Sequence, residues 1–125
     1  MQLNVISGAT VDAAIKVHSK LGPGLLESAY EFCLAHELTT RGFQVQRQVP
    51  VAIQYGTVRL DVGYRLDLLV NGAVVVEIKS VQKLHEIHSA QLLSHLRLSG
   101  LKLGILINFN VVHLRDGIKR MVNRL

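Results

Sequence analysis

Two carboxylates and a lysine interrupt two largely apolar stretches of the sequence. Asp67 lies within Tyr64–Val70, and Glu77 and Lys79 lie within Val74–Ser80. A charge placed among apolar residues loses hydration, so it normally has a partner or a function. Because residues i and i+2 of a strand project from one face, Glu77 and Lys79 share a face, and Asp67 joins them if the two stretches pair.

This grouping could hold a divalent metal ion. The carboxylates of Asp67 and Glu77 and the backbone carbonyl of Ile78 are oxygen ligands of the kind that Mg²⁺ or Mn²⁺ binds. The metal would neutralise charge on a phosphate and activate water, while Lys79 orients that water or stabilises developing negative charge. Phosphodiester hydrolysis needs these components. The alternative is a buried Glu77–Lys79 or Asp67–Lys79 ion pair that serves packing alone.

The composition is that of a chain able to build a buried core. It has 125 residues, of which 49% are apolar and 18% charged, with 2 Pro and 10 Gly. These values exclude disordered, collagen-like and coiled-coil proteins and predict one domain over residues 1–125. No apolar run is long enough to span a bilayer, no secretory signal is visible, and the single Cys33 cannot form an internal disulfide. We therefore expect a soluble, cytoplasmic protein.

Charge and hydropathy indicate the partners. The chain has 14 Lys and Arg against 9 Asp and Glu, a formal net charge of +5. This excess favours an anionic partner, and a purely solubilising charge is the alternative. The mean hydropathy is +0.29, and a small domain has little interior in which to enclose apolar surface. We therefore expect a homodimer without membrane association.

Helical spacing of apolar residues predicts two helices in the first third of the chain. The first covers Ser7–Leu21, with Ser7 as its N-cap, and ends at Gly22. The second covers Leu25–Arg41 and is followed by Gly42. Its expected buried stripe consists of Leu26, Tyr30, Cys33, Leu34 and Leu38. The two helices should form a hairpin.

After Gly42 the apolar period changes to two, which predicts three strands. They are Phe43–Tyr55 with a break at Pro50, Val58–Val70, and Ala73–Ile78. Strands in direct succession favour an antiparallel meander.

The last part of the chain alternates helix and strand. A helix over Ile87–Ser99 should end at Gly100, and a buried strand should follow over Leu101–Phe109. The inward residues expected on this helix are Ala90, Leu92, Leu93 and Leu96. A helical crossover lets the last strand lie parallel to a meander strand, which gives an α/β fold. The segment Ile118–Val122 is left open between a strand and a short helix.

Strand parity constrains the hairpin that carries the two carboxylates. A two-residue Asn71-Gly72 turn would pair Asp67 with Val76 and would send Glu77 to the opposite face. A three-residue connection, Asn71–Ala73, or a bulge before it pairs Asp67 with Glu77 instead. We therefore predict an odd offset, because the metal hypothesis requires both carboxylates on one side.

Five motifs in chain order extend the carboxylate pattern. They are Gly24-x-x-Glu27-x-x-Tyr30, Arg65-x-Asp67-Leu68-Leu69-Val70, Val76-Glu77-Ile78-Lys79, Ile87-His88-x-Ala90-Gln91-Leu92-Leu93, and Gly100-Leu101-Lys102-x-Gly104-x-Leu106-Ile107-Asn108-Phe109. With these motifs the sequence resembles the GxxExxY family of the PD-(D/E)XK nuclease superfamily, over about residues 7–122. It departs from the family at Leu66, where a small residue is common, and at His95, where an aromatic residue is common. The Pro that the superfamily's name places before the Asp is also absent, as it is from many members.

The resemblance implies a restriction-endonuclease-like core, a mixed sheet with an antiparallel meander flanked by helices. It implies that Asp67 and Glu77 are metal ligands and that Lys79 is the catalytic lysine. It further implies that Glu27 is an outer or second-metal carboxylate and that Gln91 positions the reacting groups. The activity expected is that of a Mg²⁺- or Mn²⁺-dependent DNA endonuclease. A nuclease fold that binds nucleic acid or assembles without turnover is the second hypothesis.

Three basic residues could contact the nucleic-acid backbone. Arg65 shares the face of Asp67 by parity, although a structural salt bridge explains it equally well. Lys119 and Arg120 could bind phosphates, although a solvated surface is the commoner role of such residues.

Overall fold

The computed structural model describes residues 1–124, apart from the side chain of Val62. The helices are α1 (Leu3–Leu21), α2 (Glu27–Thr40) and α3 (Glu86–Ser99), with a 3₁₀ helix at Leu114–Gly117. The strands are β1 (Val45–Tyr55), β2 (Val58–Val70), β3 (Val74–Lys79), β4 (Leu103–Asn108) and β5 (Ile118–Val122). Leu125, the last residue of the expected domain, lies outside the described residues.

These strands form one mixed sheet of five strands in the order β1-β2-β3-β4-β5. Strands β1, β2 and β3 are an antiparallel meander. Strand β4 lies parallel to β3, with α3 in the connection between them, and β5 returns antiparallel to β4. The predicted α/β class, meander and parallel crossover are therefore confirmed, and the segment Ile118–Val122 is a strand.

Helices cover both faces of the sheet, and each face has its own apolar cluster. The residues of β3 alternate between these two clusters. Val74, Val76 and Ile78 join the cluster beneath α1 and α2, which also includes Tyr30 and Phe109. Val75 joins the cluster beneath α3, which also includes Leu66, Leu92, Leu96 and Leu106. In the described part of the chain, none of the helices is long and apolar enough to cross a membrane.

Helix α1 begins one turn earlier than the sequence predicts, so the assignment of Ser7 as N-cap is wrong. Ser7 is buried within the helix, and its hydroxyl donates to the Asn4 carbonyl at 3.2 Å. The physical reason is tertiary packing, because Ile6 is buried in the core and draws the preceding turn into the helix.

Two residues expected on buried helix faces are exposed. Leu26 lies just before α2 as its N-cap and is 77% exposed, because the helix begins only at Glu27. Ala90 is exposed on α3, because Leu92 and Leu96 form the stripe that meets the sheet. Periodicity marked a helix in each case, but it did not fix which turn reaches the core.

The predicted break at Pro50 is absent, and β1 runs through it with Pro50 opposite Arg65. Strand β1 is an edge strand, where a residue without an N–H is tolerated. Gln48, two residues earlier, has a φ of +53°, and the register of the β1–β2 pair shifts after Pro50, between Val51 and Ile53.

At Gln48 the β1–β2 hairpin exchanges the faces of its side chains. Val45 packs in the cluster under α1 and α2, whereas Val49 packs in the cluster under α3. On β2 the same change separates Leu68 from Leu66. An undistorted strand would keep residues of equal parity on one face, so the hairpin turns over at this level.

Candidate active site

The connection between β2 and β3 sets the register of the candidate site. Val70 pairs with Val74 and Leu68 with Val76, so Asn71–Ala73 is a three-residue connection. Asn71 and Gly72 both have positive φ, at 52° and 63°. The predicted odd offset is confirmed, and the same register carried one step further sets Asp67 opposite Glu77.

The backbone pairing of β2 with β3 stops at Leu68 and Val76, and the next contact between the two strands is made by the Asp67 side chain. Its Oδ2 accepts a hydrogen bond from the backbone N–H of Ile78 at 2.7 Å. The carboxylate therefore lies in the gap where β2 and β3 diverge, and it satisfies a strand donor that β2 no longer reaches.

The carbonyl of Ile78 faces the same gap. The N–H of Phe109 donates to the Lys79 carbonyl at 3.0 Å, so the backbone groups of Lys79 point toward β4. Successive residues of a strand point these groups to opposite sides, so those of Ile78 point toward β2. The Ile78 carbonyl is thus available as an oxygen ligand beside Asp67.

Glu77 is buried between β3 and α3. It is 6% exposed, and its Oε1 lies 2.9 Å from Nδ1 of His95. The hydrogen bond with Glu77 raises the pKa of His95, against the effect of burial. Sequence reasoning noted His95 only as a departure from a family pattern, which gave no sign of this contact.

Burial and a neighbouring negative charge act together on Asp67. They raise the pKa of Asp67 to about 7, with desolvation as the larger cause and Glu77 as the next. The Ile78 N–H opposes this effect, and Glu31 adds to it. Two carboxyl groups arranged in this way are stabilised by a cation placed between them.

Lys79 lies on the same strand face as Glu77 and is half-buried. Among residues 1–124, it forms a salt bridge with neither Glu77 nor Asp67 within 4.0 Å. The ion pair that the packing interpretation requires is therefore absent from the described residues.

The start of α2 brings Glu27 to the end of β3. Oε2 of Glu27 accepts from the backbone N–H of Ser80 at 3.3 Å, and the Ser80 hydroxyl donates to the Leu25 carbonyl at 2.6 Å. Glu27 is exposed and lies beside the residue that follows Lys79.

Tyr30 fixes the loop from which Glu27 projects. Its hydroxyl donates to the Gly22 carbonyl at 2.6 Å and accepts from the Leu25 N–H at 3.1 Å. Its ring is fully buried and stacks on Phe109 at 4.5 Å. Gly24 has a φ of +96°, which few other residues tolerate. The Gly, Glu and Tyr of the first motif thus have one structural basis, a tight loop that places a carboxylate.

Two side chains that sequence reasoning missed connect α2 to Asp67. Glu31 is 7% exposed, and its Oε1 accepts from Nε2 of Gln48 at 2.6 Å. The same Gln48 nitrogen lies 3.5 Å from Oδ1 of Asp67. Arg47 donates to the other Glu31 oxygen at 3.0 and 3.2 Å. Only the spacing of Glu27 and Glu31, one helical turn apart, could have suggested Glu31.

The predicted residue Gln91 is exposed on α3, one turn before His95. It lines a cleft together with His95 and Tyr64, beside the buried Glu77. Glu27, Asp67, Glu77 and Lys79 therefore lie around the end of β3, and Gln91 lies one helical turn from the His95 that contacts Glu77.

Residues 4–121 match the family model of the PD-(D/E)XK nuclease superfamily. The chain belongs to this superfamily. No curated protein and no solved structure gives a significant match. The mixed sheet flanked by helices is consistent with the restriction-endonuclease-like fold of PD-(D/E)XK proteins, and Asp67 with Glu77-Ile78-Lys79 matches the acidic and ExK parts of the superfamily's name.

The oxygen donors of this PD-(D/E)XK chain fit a magnesium-type ion. Within residues 1–124, no three His, Cys, Asp or Glu side chains converge as metal ligands. Two carboxylates and a backbone carbonyl are nevertheless a usual protein contribution for Mg²⁺, which keeps water and phosphate oxygens as its other ligands. A deprotonated Asp67 is held in position for this role by the Ile78 N–H.

The three basic residues predicted to bind nucleic acid occupy two different places on the PD-(D/E)XK fold. Arg65 is exposed next to the site, and its guanidinium donates to the Gln48 carbonyl at 3.3 Å. Lys119 and Arg120 are exposed on β5, which β4 separates from β3. Arg120 donates to the Asn4 side chain at 2.8 Å. Lys119 and Arg120 are therefore not on a strand adjacent to the β2–β3 pair that carries Asp67 and Glu77.

Proposed function

We propose that the protein is a metal-dependent phosphodiesterase, a DNA endonuclease of the GxxExxY family, formed by a single domain over residues 1–125. The observation that supports this most strongly is the junction where β2 and β3 diverge. There the Asp67 carboxylate of β2 lies opposite Glu77 and accepts a hydrogen bond from the Ile78 N–H of β3, the strand that also carries Lys79.

In this proposal Asp67, Glu77 and the Ile78 carbonyl hold Mg²⁺ or Mn²⁺. The ion, when bound, supplies an activated water and neutralises charge on the scissile phosphate. The Lys79 ammonium would orient the water and stabilise the negative charge that develops as the water oxygen bonds to phosphorus and the P–O bond to the leaving strand breaks. The attacking water would lose a proton to solvent, and the leaving oxygen would take one up from solvent. Glu27 is an outer carboxylate, and Gln91 orients the phosphate.

Contacts to the rest of the strand follow from charge. The net charge of +5 favours a polyanion. Arg65 would contact phosphate beside the site, and Lys119 with Arg120 would contact the backbone farther along. Such contacts position nucleic acid without reading its sequence, so cleavage should depend on substrate structure more than on a long recognition site.

Cleavage assays test the proposal. Purified protein is incubated with single-stranded, duplex, nicked and four-way-junction DNA, with Mg²⁺ or Mn²⁺ and with EDTA, alongside Lys79→Ala. We expect metal-dependent cleavage that falls at least about a hundredfold in Lys79→Ala. Lys102→Ala is the matched control, because Lys102 is exposed at the opposite end of the parallel β3–β4 pair.

The result that contradicts the proposal is equally definite. Activity that survives in Lys79→Ala comes from a contaminant. Binding of DNA with no cleavage in any metal would favour the non-catalytic module. The metal site would be excluded if calorimetry showed that Mn²⁺ does not bind the wild type, or that it binds Asp67→Ala equally well.

We also propose that the protein forms a homodimer. Large apolar side chains are exposed around the α1–α2 connection, namely Leu21, Leu25, Leu26 and Phe32. Exposed apolar surface of this kind is typical of a protein contact.

A further inference from the structure

A cleft of about 320 Å³ opens between α3 and the β1–β2 hairpin, next to the candidate active site. Its walls include Ile53 and Tyr64 from the hairpin and Ile87, Gln91, His95 and Leu98 from α3. The α3 residues follow helical spacing, so they form one stripe along the helix. This stripe is distinct from Leu92 and Leu96, which bury α3 against the sheet.

The apolar walls of the cleft are open to solvent. Tyr64 is 46% exposed, Ile87 60% and Leu98 38%. An aromatic ring and two aliphatic side chains grouped around a concavity are typical of a binding site for a flat apolar ligand. Polar groups lie beside them, because Gln91 and Ser94 are exposed within the same cleft.

The cleft is continuous with the proposed site through one side chain. His95 lines the cleft and contacts Glu77 at 2.9 Å, and its ring lies 6.0 Å from the Tyr64 ring. A phosphate held at Asp67 and Glu77 would therefore be separated from the cleft by one side chain, that of His95.

We propose that the cleft binds one unpaired nucleobase of the cleaved strand, stacked on Tyr64 and adjacent to the scissile phosphate. This inference rests on the proposed nuclease function and adds its substrate class. A ring and aliphatic walls can stack with the face of any base, and the Ser94 hydroxyl can bond to its edge.

The consequence is selection for strands that contain an unpaired nucleotide at the cut, such as single strands, flaps and junctions. A base within an intact duplex has both faces covered by its neighbours, and extruding it costs free energy. Duplex DNA would therefore bind through its phosphates alone.

Binding experiments that need no cleavage test the inference. They use full-length Asp67→Asn protein in EDTA, so that no strand is cut and one negative charge no longer repels phosphate. Fluorescence anisotropy measures the affinity for a labelled single-stranded DNA, for an abasic strand of the same length and for a blunt duplex. Tyr64→Ala and Tyr64→Phe are added to this background, with Tyr55→Ala as control, since Tyr55 is 79% exposed and lies outside the cleft.

We expect Tyr64→Ala to lower the affinity for the single strand about tenfold and to leave the abasic strand and the duplex unchanged. Tyr64→Phe should keep the affinity, because stacking needs the ring and not the hydroxyl group. Ser94→Phe, which fills the cleft from the surface of α3, should reproduce the loss with Tyr64 intact and so does not depend on how Tyr64→Ala folds.

Equal affinity of Tyr64→Ala and its parent for single strands overturns the inference, as does an equal loss on all three ligands. In either case the nuclease proposal is judged separately, by metal-dependent cleavage in the wild-type protein. Absence of cleavage together with absence of any DNA binding by the Asp67→Asn protein overturns both.

Discussion

Asp67 occupies a position that its own charge destabilises. The folded protein raises its pKa to about 7 because the carboxyl group is desolvated and lies beside Glu77. The unfolded chain ionises this group at its ordinary value of 3.8. Between these values the folded state keeps a proton that the unfolded state releases, so the free energy of unfolding falls as pH rises through this window.

Asp67→Asn should therefore separate stability from function. In EDTA at pH 8 we expect the variant to be more stable than the wild type by on the order of 1–2 kcal/mol, less than the shift alone implies because the group is partly exposed. The advantage should vanish near pH 4, and nuclease activity should be lost at every pH. Urea unfolding at both pH values measures the first effect. Asp61→Asn, an exposed carboxylate of β2 paired with Arg59 at 3.3 Å, should show neither effect.

Gln48 combines an unfavourable backbone with a useful side chain. Its φ of +53° favours glycine, yet its amide links Glu31 to Asp67. We expect Gln48→Gly to leave the free energy of unfolding unchanged or raise it by up to about 1 kcal/mol, while the cleavage rate falls about tenfold.

Gln46→Gly is the matched control for Gln48→Gly. Gln46 is exposed on the same strand and pairs with Leu69. Its loss should lower stability by about 0.5–1 kcal/mol and leave the cleavage rate unchanged. Equal cleavage by wild type and Gln48→Gly would exclude a positioning role for the Gln48 side chain.

Among the elements, β4 and the 3₁₀ helix meet without space for a side chain. A Cβ on Gly117 would collide with the backbone carbonyl of Asn108, whose side chain in turn holds Val81 in the loop after β3. The end of β4 is therefore fixed from both sides, and Lys79 lies directly before this loop.

Gly117→Ala should destabilise the protein by about 2 kcal/mol or more, because a backbone atom cannot move aside as a flexible side chain can. Thermal unfolding followed by circular dichroism measures the loss. Gly8→Ala is the control, since Gly8 lies in α1 with open space around its Cα and should gain up to about 1 kcal/mol. A Gly117→Ala protein as stable as the wild type would show that this contact relaxes freely.

For the whole molecule, the exposed apolar side chains near the α1–α2 connection predict self-association. Leu26 is 77% and Phe32 is 60% exposed. Multi-angle light scattering at micromolar concentration should give a dimer mass for the wild type and a monomer mass for Leu26→Ser combined with Phe32→Ser. Val58→Ser, at a site 52% exposed at the β1–β2 turn, should remain dimeric. A monomeric wild type would remove the dimer proposal.

Local patterns in the sequence determined the element order and the pairing that creates the candidate site. The period of two across Val58–Val70 marked a strand whose bounds the structure reproduces. Strand parity, combined with the requirement that both carboxylates share one face, predicted Asp67 opposite Glu77, and the Asn71–Ala73 connection has the offset that this demands. Such features follow from sequence because residues close along the chain fix them.

Only the tertiary structure decided what surrounds Asp67 and Glu77. The contacts of Glu77 with His95 and of Glu31 with Gln48 join residues 18 and 17 positions apart, on different elements. Their geometry depends on how α2 and α3 pack and on the turnover of the hairpin at Gln48, which no apolar period signals. Periodicity records which face of one element is buried, whereas a contact between elements depends on their relative placement, and the packing of the whole core sets that placement.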